Sequence, residues 1–146
     1  MVLWMSTVDL EYLDAYMAIC QLKASYCRTL DTKDWNAYTA LFTEDYVLDV
    51  QGVEPIHGRD QAMAFVQNTL ATTDTAHQVH TPEIEVNGDE AYGIWPLQDR
   101  NTWREPRNGM TAQRGYAHYR ERYVKKDGEW KIAALNLRYL HLDYSD

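Results

Sequence analysis

The stretch from Ile19 to Asp31 constrains this chain most: it is an apolar helical frame that ends on an acid. Ile19, Leu22, Tyr26 and Leu30 fall at i, i+3, i+7 and i+11, the spacing of one buried helix face. Asp31 stands one residue past that face, and Thr32-Lys33-Asp34-Trp35 follows as a stop and a new start. A helix C-terminus is the negative end of the backbone dipole, so a carboxylate gains nothing from it, and partial burial raises its pKa. An acid so placed has the properties of a general base. The plainer reading of the same residue is a carboxylate in a turn.

Periodicity organises the rest of the chain. A first helix is expected from Val8 to Leu30, capped by Ser6 or Thr7, with Asp9 and Glu11 in its first turn. A short second helix covers Asp34 to Leu41, with Asp34 as N-cap. Tyr46–Val50 alternates as a strand, and His57–Asp60 is a loop into a third helix, Gln61 to Leu70. The second half changes character. Gln78–Val86 reads as a strand with an edge or bulge at Pro82, and Asn87-Gly88-Asp89 as a hairpin turn. Glu90–Gln98 is the return strand, and Asn101–Met110 is polar enough to read as a loop. Arg114–Lys125 and Trp130–Leu142 are two further strands, joined by a tight turn at Lys126–Glu129. Helices grouped before an antiparallel meander predict an α+β layer arrangement, with the sheet curled around the helices and a pocket between them. No repeat, low-complexity segment or linker divides the sequence, so residues 1–146 are expected to form one domain.

Composition narrows the function classes. The net charge is −8, and the basic group Arg114, Arg120, Arg122, Lys125 and Lys126 is outweighed by acids, which argues against a nucleic-acid partner. No apolar run is long enough to span a membrane, and Met1–Met5 lacks the charged start of a signal peptide, so a cytoplasmic location is expected. Cys20 and Cys27 would lie about 10 Å apart along one helix, too far for a disulfide, and read as free thiols. The chain carries 11 Tyr and 5 Trp but only 2 Phe. Such residues suit the wall of a cavity for a small hydrophobic cyclic substrate, with Tyr46 and Trp95 among the candidates, and equally suit a core or a subunit interface.

Several segments in order carry a family resemblance: Gln21–Trp35, Leu41-Phe42-Thr43-Glu44-Asp45, His57-Gly58, His77–Ile84 and Asp127–Ile132. From about Asp9 to Leu142 the chain resembles the SnoaL-like proteins of the NTF2-like superfamily, whose subgroup includes scytalone dehydratase, bile-acid 7α-dehydratase and hexachlorocyclohexane dehydrochlorinase. The resemblance implies an NTF2-like cone, a curved, mostly antiparallel sheet wrapped on about three N-terminal helices around an internal pocket. It implies a cofactor-free lyase built on an Asp-His pair, without metal, and a homotrimer, or failing that a dimer. The fold also carries isomerases, polyketide-type cyclases, non-catalytic binding or assembly domains and small subunits of ring-hydroxylating oxygenases, so it does not fix the reaction.

By that resemblance Asp31 matches the acid, His77 the histidine and Tyr26 a tyrosine of the bile-acid dehydratase pattern. A histidine is the natural proton carrier at neutral pH, and a neighbouring carboxylate fixes its tautomer. His80 is the rival base and a further candidate on the substrate; strand alternation puts it on the opposite face from His77. Tyr26 lies about 140° around an ideal helix from Asp31, so both reach one pocket only if the helix end bends. Asp99 continues the alternation of Gly93, Trp95 and Leu97, and Arg138 that of Trp130, Ile132, Ala134 and Asn136. These two read either as salt-bridge partners or as groups that bind polar substituents of the substrate.

Overall fold

The computed structural model describes residues 9–146, so the caps expected at Ser6 or Thr7 and the Met1–Met5 start lie outside the described residues. Helix α1 runs Leu10–Asp31, and the Asp9 side chain accepts the Tyr12 N–H as its N-cap (3.0 Å). Ala15, Ile19, Lys23, Tyr26 and Leu30 form its buried stripe, while Leu22 is only half-buried. Lys33, with φ 60°, turns the chain into α2, Trp35–Thr39, which Asp34 caps by accepting the Ala37 N–H (3.2 Å). Strand β1 (Phe42–Val50), the two-residue β2 (Ile56–His57) and helix α3 (Arg59–Leu70) follow. The remainder is strand: β3 (Thr73–Val79), β4 (Glu83–Asn87), β5 (Glu90–Arg107), β6 (Met110–Lys126) and β7 (Glu129–Ser145).

The sheet is curved and unclosed, in the order β2-β1-β7-β6-β5-β3, with β4 also paired to β5. All pairs are antiparallel except β1 with β7, which is parallel. This is the α+β architecture expected. Two expectations are corrected. The single strand anticipated over Gln78–Val86 is two strands on one edge of β5, because Pro82 has no N–H to donate; pairing runs to the His80 N–H on Pro96 O (2.9 Å) and resumes at Glu83. The loop anticipated at Asn101–Met110 is the far end of the β5–β6 hairpin, turning at Asn108 and Gly109 with φ 51° and 80°. Its polar residues are the exposed tip of a ribbon whose base still faces the interior.

Strand β7 changes face twice. Its register on β6 jumps past Ala133 and again past Leu140, each a one-residue bulge. The inward side chains are Trp130 and Ile132 before the first bulge, Leu135 and Leu137 after it. Simple alternation from Trp130 therefore assigns the middle of β7 to the wrong face.

Among the described residues the core holds one fully buried ion pair. Lys23 Nζ lies 2.6 Å from Glu121 Oε1, with both side chains fully buried. The ammonium also sits 3.7 Å and 3.6 Å from the ring centroids of Tyr26 and Tyr119, on their π faces. Glu121 accepts a hydrogen bond from Tyr123, whose oxygen accepts the Trp95 indole N–H (2.8 Å). Burial pulls the Lys23 ammonium below its ordinary pKa, against the opposing pull of Glu121. Removing one member of such a pair strands the other charge, at a cost of about 3–5 kcal/mol. Lys23→Met is therefore expected to lower the urea-unfolding free energy by that order, and Lys23→Met with Glu121→Gln to recover most of it. A single variant as stable as the parent would show that the pair does not constrain the fold.

Candidate active site

A cavity of about 390 Å³ opens between the inner sheet face, α1 and α3. The sheet wall is laid out in rungs by strand register. Thr75, Asn101 and Gln113 stand side by side on β3, β5 and β6. The next rung is His77, Asp99 and Gly115. His77, Asp99 and Asn101 face the cavity, as do Tyr26 and Leu30 of α1, Tyr38 of α2 and Tyr119 of β6.

At His77, β3 is the outer strand, and the His77 N–H points away from β5 toward α1. An unpaired edge N–H needs an acceptor. Asp31, at the last turn of α1, supplies it: Oδ2 accepts the His77 N–H at 2.9 Å. Asp31 Oδ1 lies 2.7 Å from His77 Nδ1 and accepts the Thr75 hydroxyl at 2.8 Å. Lys33 Nζ donates to Thr75 Oγ1 (2.8 Å) and to the terminal carbonyl of Leu30 (3.2 Å). The unfavourable helix end is thus outweighed by three donors on one carboxylate. Burial pushes the Asp31 carboxyl up, but the ring and backbone hydrogen bonds of His77, its charge and the Thr75 hydroxyl together hold it below its ordinary value. The expectation of a raised pKa, and with it of Asp31 as a free base, is overturned. An ionised carboxylate only accepts, so Nδ1 carries the proton and Nε2 is left as the basic nitrogen. The His77 side chain is 7 % exposed and that of Asp31 25 %.

Tyr26 reaches the cavity without any bend of α1, because Asp31 meets His77 from the side and does not line the cavity itself. The Tyr26 ring packs 5.3 Å from Tyr38 and 5.7 Å from Tyr119, centroid to centroid. Burial pushes all three phenols up, so each is a neutral O–H at physiological pH.

Asp99 is 3 % exposed, and its Oδ2 accepts the Tyr139 hydroxyl at 2.9 Å. The bond passes over Gly115, where a Cβ would stand 2.4 Å from both Asp99 Oδ1 and the Tyr139 ring. Only glycine leaves room for it. Asp99 and Arg138 are not partners. The Ala133 bulge turns Arg138 to the outer face, where it pairs with Asp49 (2.7 Å).

Three further candidates lie off the cavity. His80 is exposed on the opposite face from His77, as alternation expects. Trp95 is on the inner face but toward the other end of β5, its indole spent on Tyr123. Tyr46 is 1 % exposed and packs on Phe42, centroids 4.4 Å apart, in the solid core. Thr75, Lys33, Asn101 and Tyr139 join the site without having been singled out. Thr75 shares a face with His77 at period two, a signal the sequence does carry. Among the described residues no group of three or more His, Cys, Asp or Glu side chains is placed to hold a metal ion, and no helix is long and apolar enough to cross a membrane.

Known proteins share this architecture. A Gibberella zeae protein named "Probable cyclase FGR4" is 23 % identical over 140 residues, covering 88 % of this chain and 93 % of its own length. The crystal structure of a type 2 hexachlorocyclohexane dehydrochlorinase, LinA, superposes with a TM-score of 0.83 at 21 % identity, covering 95 % of this chain and 94 % of that one. A Novosphingobium aromaticivorans protein named "Putative Scytalone Dehydratase" superposes with a TM-score of 0.83 at 23 % identity, covering 92 % and 90 % of the two chains. These superpositions show the NTF2-like fold. The family described as a SnoaL-like domain matches residues 11–136, nearly the whole chain, and the protein belongs to that family.

Proposed function

We propose that the protein is an acid–base enzyme that works with its own side chains alone, a lyase of the dehydratase kind acting on a small cyclic substrate. The observation that carries this reading is the Asp31–His77 contact of 2.7 Å beside a largely apolar cavity. A passive binding domain has no use for a carboxylate that fixes the tautomer of an imidazole. The names of the relatives support the same class: a cyclase, a dehydratase and a dehydrochlorinase.

The chemistry follows from the geometry. His77 Nε2 takes a proton from a carbon next to a carbonyl, and Asp31 stabilises the imidazolium that forms. The Tyr26 hydroxyl, backed by Tyr38 and Tyr119, donates to the oxygen on which charge develops. His77 then returns the proton to the departing hydroxide, which leaves as water, and the C=C bond forms with the enzyme restored. Asp99 holds a polar substituent of the substrate. Arg138, on the outer face, has no part in the step. A second reading uses the same three residues: the carbanion attacks an internal carbonyl and closes a ring, as the name of the Gibberella zeae relative suggests.

Two outcomes test this. On cyclic hydroxy-ketones or polyketide intermediates that turn over, Asp31→Asn and His77→Ala should each lower kcat by roughly 10²–10⁴-fold. The double variant should be no worse than the poorer single one, since the pair acts as a unit. Near-normal turnover in both single variants would sink the dyad. The second outcome concerns acid. The folded pKa of Asp31 lies below its unfolded value of about 3.9, so its stabilisation is full above that pH and is lost as pH falls through the lower folded value. Urea midpoints measured from pH 6 downward should therefore fall more steeply in the parent than in Asp31→Asn. Equal slopes would mean that the carboxylate is not held by these hydrogen bonds.

A further inference from the structure

Lys23 is a buried charge that the proposed chemistry leaves unused. It does not line the cavity, yet its ammonium lies on the faces of two rings that do, 3.7 Å from the Tyr26 centroid and 3.6 Å from that of Tyr119. Its ion pair has a direction. Glu121 gives one oxygen to Lys23 and the other to Tyr123, which takes the Trp95 indole N–H. The positive end therefore backs the two cavity rings, and the negative end faces the Tyr123–Trp95 network. Cys27, one turn further along α1, is no rival anion, because burial pushes its thiol up to about 11. Of the two rings, Tyr26 keeps the more surface open, 5 % against 1 %, and is the one a ligand meets.

We infer that Lys23 is a positioning residue that acts through Tyr26: its ammonium, stacked on the phenol ring, tunes the cavity to hold an oxyanion on a ring in preference to the neutral hydroxyl form. A cation on a π face draws electron density from the ring and makes the phenol O–H a stronger donor. Its field also favours negative charge on the far side of the ring, and a low-dielectric interior screens that field little. The inference deepens the proposed function and rests on it, since the enolate left when His77 removes a proton is such an oxyanion.

Binding can be read apart from turnover with 4-nitrophenol, whose phenolate absorbs at longer wavelength than the phenol, and with its ether 4-nitroanisole. The host is the His77→Ala protein, so that no imidazole takes the probe's proton. Bound 4-nitrophenol should ionise at lower pH than the free probe, a preference for the phenolate on the order of tenfold. Lys23→Met with Glu121→Gln, checked for folding by its thermal transition, should remove most of that preference and bind 4-nitroanisole as before. A purely structural loss would weaken both ligands alike and leave the preference in place. With Tyr26→Phe already present, the same two substitutions should change the preference little, because the charge acts through that phenol. The unsubstituted protein gives a second measurement: the Lys23 nitrogen resonance should be that of an ammonium at pH 7, and should move on binding the phenolate but not the ether. The inference is overturned if Lys23 is a neutral amine at pH 7, if its resonance ignores the phenolate, or if 4-nitrophenol does not bind at millimolar concentration. It is overturned equally if the bound probe ionises no more readily than the free one, or if the preference survives loss of Lys23. A preference that needs Lys23, beside unchanged kcat in Asp31→Asn and His77→Ala, would remove the catalytic reading and leave the oxyanion site standing.

Discussion

Two directional contacts fix how α1 lies on the sheet, and the site follows from them. Apolar burial alone is non-directional, and a helix on an apolar sheet can slide or rotate at modest cost. Lys23 is pinned to Glu121 of β6 in the middle of the helix, and Asp31 is pinned to His77 of β3 at its end. With both satisfied, Tyr26 faces the cavity between them. The ion pair carries its own desolvation penalty, so its contribution lies in holding one arrangement as much as in net stability.

The division of labour among the ionisable groups is set by surroundings. Tyr26, Tyr38 and Tyr119 are held protonated chiefly by burial. Asp31 is half out of water yet receives three hydrogen bonds, and stays ionised. An ionised carboxylate on one nitrogen of the His77 ring and neutral phenols in the wall of the same cavity need no unusual protonation state at neutral pH.

Much of this was legible in the sequence where periodicity carried it. Ile19, Tyr26 and Leu30 announce the α1 face, and Asp31 ends it; Asp99 follows from strand alternation, whereas His77 is picked out by the family resemblance. What failed has local causes. Ala133 and Leu140 bulge without any proline or glycine to mark them, so Arg138 was read inward and Tyr139 was passed over. Lys23 looks like a solvated lysine on an amphipathic helix, because its partner lies 98 residues away. Trp95 and Tyr46 are on the inner face as alternation suggests, but depth along a strand is set by where the helices sit, and no residue pattern encodes that. Asn101 was lost to a loop because a polar hairpin tip and a loop have the same composition.

The parallel pairing of β1 with β7 also orders events in time. Among the described residues β1 has only the two-residue β2 to pair with until β7 exists, about 80 residues later in the chain. At about 5–20 residues per second of synthesis, that is a wait of roughly 4–16 s. The first helix, Asp31 and His77 are all made before the wait is half over, whereas Tyr139 comes from the strand that ends it. A nascent chain therefore carries its acid and its imidazole in open water well before it owns a pocket, and the docking of the last strand turns a pair of exposed side chains into a site.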